Sequence, residues 1–460
     1  MKRILYWQLF PLVWMICLLG NMYGQSAGND PKTDYYYGND VIIHDQPLED
    51  QQNLTLDAAF NGWLFAAYSF ISDAGGTGNF VIMRSTDHGQ TWEMIYSQST
   101  SYIHVVSLDM AVAGNTLETL KVYLAMITFD YTTGTEEWVV GVSKFNGSTG
   151  AFEGNVYAES NGTFKFYDVA IATDCGFPAV GASPYSLGLA FARHNPNYDD
   201  VIFLSSNGGA LFSNRYVVGE TEQLCREVSV AYARSADNPD GCYFVTWDEF
   251  ESEFDWMGNI FVSHSYYHYQ DPFLPAFQID ALSPLIENAC HTPRISCQVN
   301  NSSNMENGLT AILAFESGAF SGENIIRYAY NFDAVEYDNW DYFFVTNWNV
   351  NETQPELCFE PSGSLFYITF FSTMELKLAT WTLPLSFEPG ITWTLFEDQY
   401  NDVTDLDQPY PMIAISPVYN EPAHAWIMLH GTNIGRAMFD AAYLPVGMDE
   451  PGGMVFTAEA

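Results

Sequence analysis

Lysine and arginine are scarce in this chain: 15 basic residues stand against 56 acidic ones over 460 residues, a formal net charge of −41. Such a surface repels phosphate backbones and anionic membrane faces, so nucleic-acid binding is excluded as a function. The acidity itself means either solubility in salty surroundings or attraction of Ca²⁺ and cationic partners. Charged residues of every kind make up only 15% of the chain, so the helix-favouring Lys, Arg and Glu are thin. The signatures of several large enzyme classes are missing as well, with no G-x-S-x-G, no P-loop and no H-E-x-x-H. Beyond the N-terminus no segment is long and apolar enough to span a bilayer.

Residues 1–24 read as a signal peptide: Lys2 and Arg3 lead an apolar stretch from Ile4 to Leu19, and small polar residues follow. Pro11 and Gln8 interrupt that stretch, which argues against a retained anchor, and Met15-Ile16 before Cys17 do not make a lipoprotein site. The expected chain is therefore secreted or at the cell surface, with no membrane span once the signal is cleaved. Without Cys17 six cysteines remain, at 175, 225, 242, 290, 297 and 358. An even number in an exported protein predicts disulfides, and Cys290 with Cys297, close in sequence across an expected loop, is the first candidate pair. No paired C-x-x-C supports zinc instead.

What the chain does have is aromatic and apolar residues, 16% and 48%, the material of packed strands. One pattern recurs about every 60 residues: a short strand opened by a charged or polar residue, a turn, a very apolar strand, a polar loop and a third strand. The first strands open at Asp57, Asp109, Asp168, Glu227, Arg294, Glu356 and Met412. The apolar strands follow at 63–68, 122–127, 187–192, 243–247, 309–315, 365–370 and 425–429. No helical periodicity competes. Antiparallel units at this spacing are blades of a β-propeller, so the predicted fold is all-β: seven four-stranded blades over 25–445, six being the alternative count, followed by a linker or tail at 446–460. An array of sandwich domains is the runner-up. The last unit lacks a fourth strand, which Val41-Ile-Ile-His44 would supply, closing the ring without a covalent bond; Tyr35-Tyr36-Tyr37 would order that terminal segment.

One motif is sharp. Ser85-Thr86-Asp87-His88-Gly89-Gln90-Thr91-Trp92 matches S-x-D-x-G-x-T-W at every fixed position. Asp87 can accept hydrogen bonds from its own turn, Gly89 can take a positive φ, and Trp92 carries a large apolar surface into blade packing. The motif resembles the Asp-box (BNR) repeat of sialidase-like β-propellers. Ser205 to Phe212 is a degenerate copy, and Tyr330 to Asp333 with Trp340 a fainter one. The resemblance implies a propeller with these boxes on the turns between third and fourth strands, away from the active face. It implies a fold and no activity. Val446 to Pro451 resembles the junction that precedes the sorting domain of type IX-secreted Bacteroidota proteins.

In a propeller the aligned innermost strands line a central channel. Asp57, Asp109, Asp168, Glu227, Arg294 and Glu356 would converge there as the ligand-binding ring, with Met412 in the last position. Crowded carboxylates raise one another's pKa or recruit a cation, and Ca²⁺ is the one that oxygen ligands in a ring would suit; Arg294 would instead pair with two neighbours. Sialidases bind the substrate carboxylate with three arginines and carry an Arg-Ile-Pro motif. Here the mature chain has eight arginines, only Arg294 lies in the ring with Arg226 beside Glu227, and Arg-Ile-Pro is absent. No catalytic residue is therefore carried over. His264 and His268, about 13 Å apart on a strand, are too far apart for one metal and read as part of a surface aromatic patch. The stretch Asp248 to Trp256 reads as an acidic, aromatic loop on the channel face.

The expected function is a non-catalytic, monomeric surface module binding a glycan or a protein. A glycoside hydrolase using channel carboxylates, or a purely structural surface component, are the alternatives.

Overall fold

A computed structural model describes residues 36–37, 41–46, 49–72, 79–99, 103–130, 137–160, 162–174, 185–235, 238–252, 258–266, 268, 270–282, 289–299, 310–318, 324–331, 338–344, 351–360, 365–372, 375–382, 392–394, 411–418, 422–430 and 434–443. All but Tyr36 belong to one compact unit, Tyr37–Tyr443. The predicted signal segment, the 446–460 tail, Tyr35 and Cys175 lie outside the described residues.

Among the described residues the chain is strand after strand, with a single turn of 3₁₀-helix at Asp280–Leu282. No helix among them is long and apolar enough to cross a membrane. Six sheets each hold four antiparallel strands in sequence order, innermost to outermost. Their innermost strands are Glu49–Ala58, Ile103–Ala113, Lys165–Thr173, Leu224–Ala233, Cys290–Cys297 and Glu352–Phe359, and the sheets are called blades 1 to 6 in that order. These inner strands lie side by side in sequence order. A further sheet, with Met412–Ile415 innermost, bridges blade 6 back to blade 1.

The expected seven like blades are thereby corrected to the alternative count: the fold is an all-β propeller with six four-stranded blades, and the closing sheet is unlike them. It has five strands rather than four, and they come from both ends of the chain. Met412–Ile415, Pro422–His430 and Ile434–Tyr443 are joined by the short N-terminal strands Tyr36–Tyr37 and Val41–Ile42. Val41 pairs with Phe439 and Ile42 with Met438, and the Ile43 N–H continues the ladder to the Ala437 carbonyl at 2.9 Å. The N-terminal segment thus completes the last sheet as its sequence predicts.

The second strand of each blade is the most apolar because both of its faces pack on neighbouring blades. Phe65, Val122 and Leu124 bury completely at the seam of blades 1 and 2, and Leu187, Leu189 and Phe191 between blades 2 and 3. Trp247 and Tyr243 fill the seam of blades 3 and 4. Each such side chain contributes roughly 1.5–3 kcal/mol on burial.

Every inner strand of the six blades carries a β-bulge, between Gln52 and Thr55, Val105 and Ser107, Phe166 and Val169, Cys225 and Val228, His291 and Arg294, and Thr353 and Glu356. Three bulges hold non-glycine residues at positive φ, Asn53, Thr292 and Gln354. A bulge takes one residue out of the ladder and re-aims the side chains after it. The channel residues therefore do not open their strands, as the repeat predicts. They sit in the bulge or within two residues of it, inside a longer strand.

The Ser85–Trp92 turn connects the third and fourth strands of blade 1. Asp87 accepts from Thr91 twice, at 2.9 Å from the amide and 2.6 Å from the hydroxyl, and from the Ser85 hydroxyl at 2.7 Å. Partial burial pushes the Asp87 carboxyl up, but these donors outweigh it and hold its pKa below the usual range. Gly89 has φ +88°, and a Cβ there would overlap the Phe439 ring. Trp92 packs edge-on against that same ring at 5.1 Å, so the turn locks blade 1 to the closing sheet. In blade 3 the degenerate copy makes a comparable turn, with Gly208 and Gly209 at positive φ. Trp340 is buried between blades 4 and 5, while Phe332 and Asp333 lie outside the described residues.

The disulfide expectation fails for its first pair. Cys290 and Cys297 are the two ends of one extended strand, about 23 Å apart at 3.3 Å per residue, far beyond bridging distance. The expected loop between them is this strand, with Pro293 in its bulge. The described cysteines, Cys225, Cys242, Cys290, Cys297 and Cys358, form no disulfide with one another.

Candidate functional site

The inner strands enclose a central cavity of about 270 Å³. Asp57, Asp109, Asp168, Arg294, Glu356 and Met412 all line it, and Glu227 joins them through Arg294. The ring expected from the repeat is therefore assembled, but its two halves do different work.

In blades 1 to 3 the carboxylates stitch strands together. Asp57 accepts from its neighbour's Ala58 N–H at 2.7 Å and, with its other oxygen, from Val112 N–H of blade 2 at 2.6 Å. Asp109 accepts from Met110 N–H at 2.8 Å, from the Thr55 hydroxyl of blade 1 at 3.0 Å and from Ile171 N–H of blade 3 at 2.8 Å. Asp168 accepts from the Ser107 hydroxyl of blade 2 at 2.5 Å and from Val228 N–H of blade 4 at 3.0 Å. Each carboxylate thus accepts an amide of the next blade's inner strand, which is the edge strand of its own sheet.

In blades 4 to 6 an ion-pair bridge is added to such backbone bonds as Leu357 N–H to Glu356 at 3.3 Å. Arg294 places Nη1 3.1 Å from Glu227 and Nε 3.3 Å from Glu356, one guanidinium shared between flanking carboxylates. Ca²⁺ was the other expected occupant of the ring. No cluster of three or more acidic, His or Cys side chains among the described residues is arranged to hold a metal, because the oxygens point at backbone amides and at Arg294 rather than at a common centre.

The bore is narrow enough that burial dominates its electrostatics. Desolvation lifts Asp57 to about 7, against opposing hydrogen bonds from Val112 and Ala58. Burial likewise lifts Asp168 to about 6 and Glu356 to about 7, in each case against the attraction of Arg294. Asp109 is raised for the same first reason, with its backbone donors pulling the other way.

A second tier of acids, beneath the ring, escapes the repeat. Asp248 belongs to the apolar second strand Cys242–Phe250, not to a loop. It accepts from the Glu227 N–H at 2.9 Å and from Arg226 N–H at 3.3 Å, and reaches Thr292 N–H of blade 5 at 3.4 Å. Burial, then the charge of Glu227, raises its pKa. Glu316 repeats the device one blade on, accepting from Gln354 N–H at 2.8 Å, with His291 Nδ1 3.6 Å away. Asp199 accepts from Cys225 N–H at 3.0 Å. The signal was available: an isolated acid in an apolar strand is costly to bury unless donors surround it.

The remaining candidates scatter. Arg226 lies over the Phe250 ring at 4.1 Å, outside the ring of channel residues. His264 is a buried strand residue stacked on Phe244 at 4.6 Å, not part of a surface patch; His268 stands in the following loop, and Tyr266 is exposed. Glu253, Asp255 and Trp256 lie outside the described residues.

No protein-family model matches this chain, nor does any curated protein. Among solved structures it is similar to an α-L-arabinanase of Penicillium chrysogenum in complex with arabinobiose (13% identity, 73% of this chain and 94% of that one, TM-score 0.47). It is also similar to the GH93 α-L-arabinofuranosidase of Fusarium graminearum with arabinobiose (11%, 88% and 97%, TM-score 0.49) and to Trypanosoma rangeli sialidase with the inhibitor DANA (10%, 86% and 56%, TM-score 0.39). At such scores the likeness decides nothing about chemistry.

Proposed function

We propose that this chain is an exported, non-catalytic propeller of the Asp-box, sialidase-like kind that binds a glycan or a protein at the mouth of its channel. The observation that carries this is how the ring carboxylates are engaged. Asp57, Asp109 and Asp168 are taken up by neighbouring strands, and Glu227 and Glu356 share Arg294. A glycosidase needs one carboxyl that delivers a proton and a second that attacks or activates water. In this ring each carboxylate already has a structural partner. Arg294 is the group best placed to meet a ligand, since it lines the cavity as the one cation among the ring residues.

One observation favours the hydrolase reading. Asp168 and Glu356 have their pKa lifted toward neutrality, and Asp248 is raised beneath Glu227, the condition a general acid requires.

The test is a combined thermal-shift and turnover screen on the purified mature chain, with Ca²⁺, EDTA, sialosides and neutral and acidic glycans. A melting shift without product, abolished by Arg294→Met, supports the binding module. Released sugar, lost in Glu227→Gln with the fold intact, overturns it in favour of the hydrolase.

A further inference from the structure

Glu227 differs from the other ring acids in how its carboxylate is used. Asp57, Asp109 and Asp168 each commit both oxygens to amides or hydroxyls. Glu356 commits one oxygen to Leu357 N–H at 3.3 Å and the other to Arg294. Glu227 commits Oε2 alone, to Arg294 Nη1 at 3.1 Å. Its Oε1 takes no hydrogen bond among the described residues. Its side chain is also more exposed than those of its ring partners, 29% against 15% for Arg294 and 20% for Glu356. An acceptor is therefore left over for a ligand, directly beside the N–H donors of the guanidinium that lines the cavity.

The charge around this acceptor is close to balanced. Glu227 and Arg294 cancel as a pair. Burial lifts Asp57 and Glu356 to about 7 and Asp168 to about 6, and raises Asp109, so protons take up part of the remaining charge near neutral pH. An anion finds Arg294 already shared by two carboxylates, with further acids around it. A cation at Glu227 meets the same guanidinium 3.1 Å from the carboxylate. An uncharged hydroxyl meets neither repulsion.

The cavity wall adds an apolar side. Met412 holds the seventh ring position, where the other six carry ionisable groups, and lines the same cavity. Its thioether and methylene groups are a soft surface for the C–H face of a sugar ring whose hydroxyls turn to the polar side.

We propose, resting on the channel-mouth reading above, that the ligand is an uncharged glycan and that Glu227 and Arg294 hold two neighbouring hydroxyls of one sugar residue. One hydroxyl donates to Glu227 Oε1, and the next accepts from the Arg294 guanidinium. Both bonds have a charged partner, which makes them stronger than bonds between neutral groups. The Glu227–Arg294 pair stays in place, because the ligand takes the oxygen that the pair leaves over.

The test is isothermal titration calorimetry of the mature chain with neutral trisaccharides of arabinose, xylose, mannose and glucose, with the anionic trigalacturonate and sialyllactose, and with the cationic trimer of glucosamine. The same mixtures are assayed for released sugar. The expected result is binding of at least one neutral trisaccharide and of no charged one. Glu227→Gln, checked for an unchanged melting temperature, is expected to lower that affinity at least ten-fold. Glu227→Asp, which keeps the charge but draws the oxygen back by one methylene, is expected to do the same and takes its place if Glu227→Gln does not fold. A charged trisaccharide bound in preference to every neutral one overturns the inference and leaves the binding module standing. Neutral binding that the folded variants keep in full overturns it too. Binding of no trisaccharide of any class also overturns it, and confines the module to a protein ligand. Released sugar overturns the non-catalytic reading on which the inference rests, and the inference with it.

Discussion

Replacing Asp109 separates a structural ring from a chemical one. Its carboxylate holds Ile171 N–H of blade 3 at 2.8 Å and the Thr55 hydroxyl of blade 1 at 3.0 Å, so it links three consecutive blades. Asp109→Ala leaves both donors without that acceptor. A buried donor without a partner costs about 1–3 kcal/mol, and relief from burying a carboxylate offsets part of the sum, so the expected loss is about 2–4 kcal/mol. Asp109→Asn keeps the volume and one acceptor oxygen but turns an NH₂ group toward the other donor, for an expected loss of about 1–2 kcal/mol. Differential scanning calorimetry at pH 7 reads these as drops in melting temperature on the order of 3–8 °C and 1–4 °C. Hydrogen exchange adds the location: the Ile171 amide loses protection first. If Asp109→Asn instead raises the melting temperature and abolishes ligand binding or turnover, the carboxylate is held there at the expense of stability for a chemical purpose, and the stitching argument is wrong.

Stability is expected to fall as pH rises from about 4 to 8. The folded-state pKa values of Asp57, Asp168 and Glu356 are raised, to about 7, 6 and 7, so in that window the native state binds more protons than the unfolded chain and loses its advantage as they leave. Melting curves at pH 5 and pH 8.5 check the sign; a higher melting temperature at pH 8.5 refutes it. Arg294→Met leaves Glu227 and Glu356 facing each other without their shared cation, and is expected to steepen this pH dependence. Gly89→Ala is expected to cost about 2–4 kcal/mol in urea unfolding, since the new methyl group meets Phe439 at a positive φ. Gly154→Ala, at φ +116° with nothing within 4 Å, is the control and is expected to cost only about 1–2 kcal/mol.

The blades were legible because their second strands are buried on both faces and so read as unbroken apolar runs. The channel ring was legible because its acids recur at one register. The bulges were not: their positive φ falls on Asn53, Thr292 and Gln354 rather than on glycine, and no local residue choice announces them. Missing the bulges also hid Asp248 and Glu316, whose only reason to sit in apolar strands is to satisfy the amides that bulges release. The Cys290–Cys297 pairing failed for the same cause, since the loop expected between them is in fact a bulged strand.

The closing sheet has a consequence for how the molecule comes into being. Val41 finds Phe439, and Asp50 accepts from Gly435 N–H at 2.8 Å, across nearly the whole sequence. Such pairings form late, because the loop they close is the longest in the chain. Blades 1 to 6 are able to assemble in order as synthesis proceeds, yet the seam between the last sheet and blade 1 stays unmade until the final strand, Ile434–Tyr443, arrives. Both ends must then be on the same side of any barrier the chain has crossed. A polypeptide halted midway is left with an apolar flank uncovered, so the ring closes only once strands from both ends of the described residues are present.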